Sequence, residues 1–480
     1  MDDAPTANDP DAKPRNLLLC TFDQLRGDWC DPSVPIVDLP NIQALAGNGW
    51  SARAYATSPQ CVPARLSWTT GSYASRLGIT THRNVDLPGD APSIVRTLRS
   101  RGWWTELVGK SHLTAHVKGR DLRDQAPRMQ ALGFDQVLEI AGPRGLRHVE
   151  CALTDAWREA GVLERHRADL EQRYAGGRRP ESWEVRPTVL PLELYPDVWL
   201  ARRAVERIAT LPTDRPWLLW VSFVGPHEPF DTPPPWAGRH ADADLPPASA
   251  TPPWIASLPR HATAREARAR WESLTPKAIA ACRRDYADQL QLLDDQLGLL
   301  METLDRRPDA RRTTVALTAD HGELLGDGGM LYKGTFLEGA VRVPWIQRPA
   351  PDEHFDGPRR SAHPVGITPL LSSCFENLAA GGSTADLIEE SSRQDEVCCE
   401  FADELMVVDG GRKIVVDRRG KALWATDLAR DPREQENVVT DHRRTWRTDP
   451  GWRTLLKTTR RLQRDRRRRS WRWTQLKDVR

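Results

Sequence analysis

A cysteine followed by proline and arginine forms the most distinctive motif of the sequence. Cys61, Pro63 and Arg65 lie in the run Cys-Val-Pro-Ala-Arg. Proline suits the first turn of a helix, so Cys61 is predicted to lie at a helix N-terminus with Arg65 about one turn further on. Unpaired backbone N–H groups at such an end favour an anionic nucleophile and an anionic substrate. The alternative is a buried structural cysteine ahead of a helix that begins with proline.

Two pairs of adjacent residues offer metal ligands. Asp23 and Gln24 form the first pair, and Asp320 and His321 form the second. Carboxylate, amide carbonyl and imidazole groups together indicate a site for Ca²⁺, Mg²⁺ or Mn²⁺ rather than a zinc site built on thiolates. These residues therefore predict a site for one divalent metal. Any one of them alone is as often a solvated loop residue or a helix cap.

Four basic side chains are of types that move protons or bind anions: Lys110, His112, His227 and Lys333. Positioned near a reacting group, such side chains act as acids, bases or charge stabilisers. Each one taken alone is more often a solvated loop residue. Asn84 is a weaker candidate, for a contact with the substrate.

Four short apolar runs position most of these candidates. Each run ends just before one of the polar groups, and the runs are residues 17–20, 104–108, 217–221 and 314–317. Short apolar runs without alternation are typical of parallel strands that are buried on both faces. Ligand sites of open α/β sheets lie at the carboxyl ends of the strands. The polar groups are therefore predicted to meet at one edge of a sheet.

Helices and loops are predicted between these strands. Residues 285–304 have apolar side chains at three- and four-residue spacing, and residues 93–101 predict a shorter helix. Residues 115–191 and 231–254 show no strong period, so we expect long loops that shape a pocket.

The C-terminal part of the chain has a different pattern. Residues 397–408, 413–416 and 422–427 predict an antiparallel meander. The whole sequence thus predicts an α/β fold with a large central, mostly parallel sheet flanked by helices, a small C-terminal antiparallel sheet domain and a basic tail. The chain is predicted to divide into a disordered N-terminal segment (residues 1–14), a catalytic α/β domain (15–371), a small α+β subdomain (372–442) and the tail (443–480).

The net charge of +2 hides an asymmetry between the tail and the rest. Residues 443–480 contain fifteen Lys or Arg against three Asp, and this surplus of twelve leaves the rest of the chain at −10. Arg466 to Arg469 with Trp471 and Trp473 would suit a nucleic acid or an anionic membrane surface. We favour a helix lying across the acidic body, or a frayed tail, and expect no nucleic-acid partner.

Residues 1–15 lack the apolar core of a signal peptide, and no apolar stretch approaches the ~20 residues that span a bilayer. The eight cysteines are scattered without Cys-x-x-Cys pairs, so most are expected to be reduced and buried. We therefore expect a cytoplasmic protein without a membrane span. A homo-oligomer is left open.

In this setting the cysteine motif resembles the signature of the type I sulfatases, a family of the alkaline phosphatase superfamily. Other landmarks of that family occur in its order over roughly residues 15–439: Asp23-Gln24, Gly109-Lys110-Ser111-His112, Pro226-His227, Asp320-His321-Gly322-Glu323, Lys333, and residues 338–344 and 423–437. Two positions depart from the pattern. Gln24 stands where many relatives have a second Asp, and Gly328 stands where relatives often have His.

The resemblance implies that a formylglycine-generating enzyme oxidises Cys61 to formylglycine. The hydrated aldehyde at Cys61 would bind the metal (calcium, or manganese or magnesium), with Arg65 beside it, and attack the sulfur of a small-molecule sulfate ester. The resemblance also implies roles for the remaining residues. Lys110 would hold the sulfate, and His112 would help remove the second hydroxyl proton. Lys333 and His227 would stabilise or protonate the leaving oxygen.

Two other functions compete with sulfate ester hydrolysis. A phosphonate monoester or phosphodiester hydrolase of the same superfamily shares the modified cysteine and the Asp-Gln pair, but tends to lack the Lys110 and His112 pair. An inactive sulfatase fold whose basic tail binds nucleic acid is the second alternative. The intact set of candidate catalytic residues argues against it.

Overall fold

One large sheet positions the predicted site. The computed structural model describes residues 15–174, 180–357, 359–361, 363–385, 387, 397–440, 445–468 and 479. Eight strands form the sheet in the order β4-β3-β5-β1-β6-β7-β2-β8. β7 runs antiparallel to both of its neighbours, and every other adjacent pair is parallel. The strand bounds are β1 Asn16–Phe22, β2 Trp50–Tyr55, β3 Trp104–Gly109, β4 Gln136–Glu139, β5 Trp217–Ser222, β6 Thr313–Ala319, β7 Arg342–Arg348 and β8 Val365–Gly366.

The four apolar runs of the sequence are four neighbouring strands in the middle of this sheet, in the order β3-β5-β1-β6. Every residue of β1, β5 and β6 is buried. Leu19 of β1 lies opposite Trp220 on one side and Ala316 on the other. Because these strands are parallel and in register, their carboxyl ends meet at one edge, as predicted.

Helices cover the sheet in two groups that pack among themselves. One group contains α1, α8 and α10, and the other contains α2, α3 and α12. The helix bounds in this part of the chain are α1 Pro40–Gly47, α2 Cys61–Thr70, α3 Ile94–Ser100, α4 Ala126–Ala131, α5 Pro143–Leu146, α6 Ala152–Glu159, α7 Leu163–Tyr174, α8 Pro196–Thr210, α9 Thr263–Ala269, α10 Pro276–Asp305, α11 Glu338–Val341 and α12 Ile367–Ala379.

The short helix predicted at residues 93–101 is α3, and the Ser93 side chain caps it by accepting a hydrogen bond from the Arg96 N–H at 3.2 Å. The long helix predicted at residues 285–304 is α10, which begins earlier, at Pro276 behind a Thr275 cap. The long loop predicted at residues 115–191 is wrong, because this segment contains α4 to α7 and β4.

A second, four-stranded antiparallel sheet follows, in the order β12-β11-β10-β9. Its strands are β9 Val397–Phe401, β10 Glu404–Asp409, β11 Arg412–Val416 and β12 Ala422–Asp427. Residues 397–408 were predicted to form one run of the meander, but they form two strands. The chain reverses at Ala402, whose φ of 50° lies in the left-handed region.

The C-terminal helix α13, Pro450–Arg468, packs on the small sheet. Trp452 and Leu455 of α13 join Leu405, Val407 and Ile414 of the sheet in one apolar cluster. The prediction of a helix on the body is thus confirmed for this part of the tail. Trp471 and Trp473 lie outside the described residues.

α12 runs through the boundary predicted at residue 371 and packs against α2 and α3, on the side of the large sheet. The division into domains stays a prediction. Within the described ranges, every helix is too short or too polar to cross a membrane.

Candidate active site

Cys61 is the first residue of α2, at the helix N-terminus as predicted. The preceding residue, Gln60, has extended backbone, and every side chain of α2 is buried. Only 4% of Cys61 is exposed. Burial opposes ionisation of the Cys61 thiol, but Lys333 and Lys110 outweigh it and hold the pKa well below its usual range. The site therefore favours a negative charge at residue 61.

Arg65, one turn further along α2, is fully buried and ties three strand ends together. Its Nε donates to Asp320 Oδ2 at 2.7 Å, behind β6. Its Nη1 donates to the Lys110 carbonyl at 2.6 Å, behind β3, and to Ser222 Oγ at 2.8 Å, at the end of β5. Because a guanidinium offers several donors in one fixed plane, Arg65 sets the spacing between these strand ends.

Asp23, directly after β1, is fully buried, and one of its carboxylate oxygens accepts hydrogen bonds from other side chains. Asp23 Oδ2 accepts from Lys110 Nζ and lies 3.4 Å from Arg65 Nη2. The other oxygen, Oδ1, has no hydrogen-bond partner among the described residues. A buried carboxylate oxygen without a hydrogen-bond partner is costly, so Oδ1 is a candidate ligand atom for a cation.

His321 has a second unpartnered atom that faces the same space. Its Nδ1 donates to the Gly322 carbonyl at 3.0 Å, so the lone pair is on Nε2 whenever the ring is neutral. Burial opposes the charged form of this ring, but the neighbouring Asp320 raises the pKa of His321 above its usual value. Nε2 lies 3.6 Å from Asp23 Oδ1 and 3.6 Å from Asp320 Oδ1, and no described group hydrogen-bonds to it. Metal-binding histidines are commonly fixed in this way by a backbone carbonyl.

Asp23, Cys61, Asp320 and His321 place one ligand atom each within 4.8 Å of one another. All four residues are buried. The unpartnered atoms Asp23 Oδ1 and His321 Nε2, together with the Asp320 carboxylate, fit a divalent cation that prefers oxygen ligands. The residues at this edge of the sheet therefore suit the predicted metal.

Gln24 lies beside this group and connects it to a second set of charges. Its Oε1 accepts from Lys333 Nζ at 2.6 Å, and its Nε2 donates to Glu228 Oε2 at 3.0 Å and also to Glu323. The backbone of Gln24, with a φ of 70°, is fixed by its N–H donating to Asp320 Oδ1 at 3.1 Å. Its role as a metal ligand stays a prediction.

His227 follows β5 in a loop held by Asp197, which accepts from the N–H groups of Val224 and Gly225 at 2.8 and 3.1 Å. Its Nδ1 donates to the Glu228 carbonyl at 2.7 Å, which leaves Nε2 as the acceptor of the neutral ring. Burial lowers the pKa of His227 to about 4. Burial also acts on Lys333, but Cys61 and Asp23 raise its pKa above the ordinary value.

A cavity of about 800 Å³ opens over Cys61. The predicted residues Lys110, His112, His227 and Lys333 line it, and so does the weaker candidate Asn84. Arg65, Asp23, Gln24, Asp320 and His321 lie in the layer beneath. The structure thus brings the predicted residues to one place, while their individual roles stay predictions.

His112 carries a positive φ of 57° and stacks on His116, with ring centres 4.5 Å apart. Burial, with the neighbouring Lys110 and His116, lowers the pKa of His112 well below its usual range. At neutral pH the imidazole that lines the cavity is therefore uncharged, and its role stays a prediction.

Several polar residues of the site were missed by the sequence reasoning, and Arg147 and Arg270 of the cavity lining are among them. Glu228 adjoins His227 and Ser222 ends an apolar run, so their positions gave a signal that was not used. Arg144 donates to Glu228 Oε1 at 2.6 Å and lines the cavity. It lies in the segment that was predicted to be a loop, and nothing in its sequence setting distinguishes it.

The comparisons with known proteins agree with this geometry. The profile of the family described as Sulfatase matches residues 16–358, which contain the whole site. An arylsulfatase of Clostridium perfringens is 24% identical over 476 residues, covering 92% of this chain and 94% of the relative. A choline-sulfatase of Rhizobium meliloti is 26% identical over 459 residues, covering 89% and 83%.

The crystal structure of a phosphonate monoester hydrolase of Agrobacterium radiobacter has the same fold. The TM-score is 0.73 at 22% identity, over 94% of this chain and 96% of that chain. The architecture is therefore alkaline-phosphatase-like, as the sequence predicted. With a family profile that spans most of the chain and its landmarks gathered around one cavity, the protein belongs to the sulfatase family.

Proposed function

We propose that the protein hydrolyses a sulfate ester, with an oxidised residue 61 as nucleophile. The observation that carries the proposal is the pair of unpartnered buried atoms, Asp23 Oδ1 and His321 Nε2, facing one space beside Cys61. This space lies at a helix N-terminus and beneath a cavity lined by Lys110 and Lys333. A tetrahedral anion at residue 61 would meet the positive charges of Lys110 and Lys333 and the positive end of the helix dipole of α2.

The nucleophile requires maturation of Cys61 to formylglycine by a formylglycine-generating enzyme. The hydrated aldehyde supplies two hydroxyl groups, one to attack sulfur and one to give up its proton when sulfate leaves. Asp23, Asp320, His321 and residue 61, with Gln24 as a further candidate, would hold a divalent metal, which would supply positive charge that favours ionisation of a hydroxyl group. Calcium, manganese and magnesium all suit these ligands.

The basic residues divide the remaining work. Lys110 Nζ, which pairs with Asp23, lies where it can hold the transferred sulfate. Arg65 holds the carboxylates in position and adds positive charge beside residue 61. His112, neutral because burial lowers its pKa, accepts the proton that must be removed to expel sulfate.

The leaving oxygen needs a proton donor, and Lys333 fits that role better than His227. Lys333 is charged because its acidic neighbours raise its pKa. The neutral His227 ring points its N–H at the Glu228 carbonyl, so the nitrogen left free is an acceptor. We therefore assign proton donation to Lys333 and a supporting contact to His227.

Phosphonate monoester or phosphodiester hydrolysis is the second candidate, and the Asp23-Gln24 pair favours it. An amide at position 24 gives the site one negative charge fewer than a second carboxylate would. Lys110 and His112, both at the cavity, favour sulfate.

A direct comparison of two esters tests the proposal. Protein matured with a formylglycine-generating enzyme and supplied with Ca²⁺, Mn²⁺ or Mg²⁺ is assayed on 4-nitrophenyl sulfate and on 4-nitrophenyl phenylphosphonate. We expect kcat/KM to be higher for the sulfate by about tenfold or more, which corresponds to ~1.4 kcal/mol in transition-state binding. The opposite order would favour the phosphonate function.

Two variants serve as controls. Cys61→Ala should abolish both activities because it removes the nucleophile. Cys374→Ala changes another buried cysteine, which lies in α12 away from the cavity lining, and should leave the ratio of the two activities as it is. A cytoplasmic location and a homo-oligomeric state stay predictions.

A further inference from the structure

The cavity over Cys61 has a second group of cations beyond those assigned to the sulfate. Arg144, Arg147 and Arg270 line it together with Lys110 and Lys333. The two lysines are largely buried beside residue 61, whereas the side chain of Arg270 is 60% exposed and that of Arg144 is 46% exposed. Arg144 and Arg270 therefore belong to the outer part of the cavity, where the alcohol part of an ester would lie, and the less exposed Arg147, at 21%, adjoins Arg144.

Among the described residues that line this cavity, Glu228 is the sole acidic one. Its carboxylate is already satisfied: Oε1 accepts from Arg144 at 2.6 Å, and Oε2 accepts from Gln24 at 3.0 Å and lies 3.2 Å from His227 Nδ1. No described carboxylate of the lining is left to receive a cationic substrate.

The aromatic face that a quaternary ammonium group would need is also occupied. The Arg144 guanidinium lies over Tyr174, with its central carbon 4.3 Å from the ring centre, and also over Tyr332 at 5.7 Å. Quaternary ammonium groups are bound by open aromatic faces. The outer cavity is therefore unsuited to a positively charged alcohol such as choline.

Arg147 and Arg270 each form an ion pair with one exposed carboxylate, which leaves charge for a ligand. Arg147 also donates from Nε to the Arg144 carbonyl at 2.9 Å and lies over Tyr174, with its guanidinium carbon 5.7 Å from the ring centre. Arg147 Nη1 lies 3.1 Å from Glu171, whose side chain is 61% exposed, and Arg270 lies 4.0 Å from Glu266, with both of these side chains more than half exposed. Exposed ion pairs of this kind contribute little, and a cleft lined by one sign of charge attracts the opposite sign.

We propose that the alcohol released by this protein carries its own anionic group, a carboxylate or a sulfo group, which Arg147 and Arg270 receive. This inference rests on the proposed function, since it names the class of ester that the same cavity accepts. Arg144 lines the same cavity, and its pairing with the buried Glu228 fixes it in place.

The test uses esters that differ only in the charge of the alcohol. The first is 5-sulfooxy-2-nitrobenzoate, the second is its methyl ester, and the third has a sulfonate in place of the carboxylate. We expect kcat/KM for the carboxylate to exceed that for the methyl ester by roughly tenfold to hundredfold, the usual value of a hydrogen bond to a charged group. The sulfonate distinguishes the two anion types, and choline sulfate should be the poorest substrate.

Arg270→Gln and Arg147→Gln should each lower the ratio of the carboxylate to the methyl ester, and high salt should lower it in the wild type. Arg144 is left unchanged, because removing it would strand the buried Glu228. Arg306→Gln is the matched control, since Arg306 also pairs with a residue one turn earlier, Glu302 at 3.6 Å, but does not line the cavity. It should leave the ratio unchanged.

Equal kcat/KM for the acid and its methyl ester, or faster turnover of choline sulfate, would overturn the inference while leaving sulfate ester hydrolysis in place. If no sulfate ester is turned over, the proposed function fails, and calorimetric binding of 5-hydroxy-2-nitrobenzoate and its methyl ester still decides the question. Tighter binding of the acid supports the anionic subsite, and equal binding refutes it.

Discussion

Lys110 is held between two neighbours, the carboxylate of Asp23 and the backbone of Gly142. Gly142 has an unstrained backbone, with φ −71°, so an alanine could adopt it. The added Cβ would lie 2.8 Å from Lys110 Nζ and 3.1 Å from its Cε. The ammonium group would have to move away from Asp23 and from the sulfate.

We therefore predict that Gly142→Ala lowers kcat/KM for an aryl sulfate by about tenfold to hundredfold, because small displacements of a positioned group cost this much. Thermal unfolding should change little. Gly47→Ala is the control: Gly47 lies in α1 with no atom within 4 Å of the added Cβ, so activity should be unchanged. Full activity of Gly142→Ala would mean that Lys110 does not act as assigned.

Asp320 gives a test of the metal site that does not depend on turnover. The wild-type protein should melt at a higher temperature in excess Ca²⁺, Mn²⁺ or Mg²⁺ than in a chelator, because a ligand at a hundredfold excess over its Kd stabilises by about 2.7 kcal/mol. Asp320→Asn removes a charged ligand and should lose this shift.

Asp327→Asn is the matched control for the metal measurement. Asp327 is a partly buried carboxylate that, like the fully buried Asp320, is bound by an arginine, Arg26 at 2.7 Å, but it lies outside the four-residue cluster. The variant should keep the metal-dependent shift, whatever its own melting temperature. A shift that survives in Asp320→Asn would argue against a cation at this place.

At the residue scale, position in the chain predicted which side chains meet but not what each one touches. Asp23, His321 and Cys61 were found from the ends of apolar runs and from one motif. The contacts of Gln24 with Glu228 and Lys333 depend on the left-handed backbone at Gln24 and on residues about 200 and 300 positions away. No local pattern carries that information.

At the scale of elements, the buried strands were the easiest to predict, since β1, β5 and β6 are apolar along most of their length. The segment 115–191 was harder because its helices are short or rich in charge. α7 has the sequence Leu-Glu-Arg-His-Arg-Ala-Asp-Leu-Glu-Gln-Arg-Tyr, with Leu163, Leu170 and Tyr174 as its buried apolar residues. Tertiary packing decided its structure more than periodicity did.

Glu404 of β10 joins the small sheet to α9. Its two carboxylate oxygens accept from the N–H and the Oγ1 of Thr263, both at 2.8 Å. Burial raises its pKa from 4.5 to about 7. Between these two pH values the folded protein keeps a proton that the unfolded chain has lost, so the free energy of unfolding falls as the pH rises through this window.

We predict that Glu404→Gln removes this part of the pH dependence, because the amide keeps the shape without the ionisation. The melting temperature of the variant relative to the wild type should therefore rise between about pH 4.5 and 7 and stay level above it. Chemical or thermal unfolding at a series of pH values measures the difference. A constant difference across this range would show that Glu404 does not titrate as described.

At the scale of the whole molecule, the candidate site residues lie at the carboxyl edge of the large sheet, and the small sheet follows in the C-terminal part of the chain. α13 accounts for part of the basic tail by packing Trp452 and Leu455 on the small sheet. In the proposed function, the choice of substrate depends on the outer cavity, which residues of α5 and of the segment after α9 line. The fold is thus a property of the family, whereas the proposed specificity depends on segments that the sequence pattern left undefined.

The most direct test of the account is the chemical state of residue 61 in active protein. Mass spectrometry of the peptide that contains it should find an aldehyde, in which one oxygen replaces the Cys61 sulfur, its hydrogen and one hydrogen of Cβ, in a fraction that matches the fraction of active molecules. Full sulfate ester turnover by protein in which this residue is still a thiol would contradict the account.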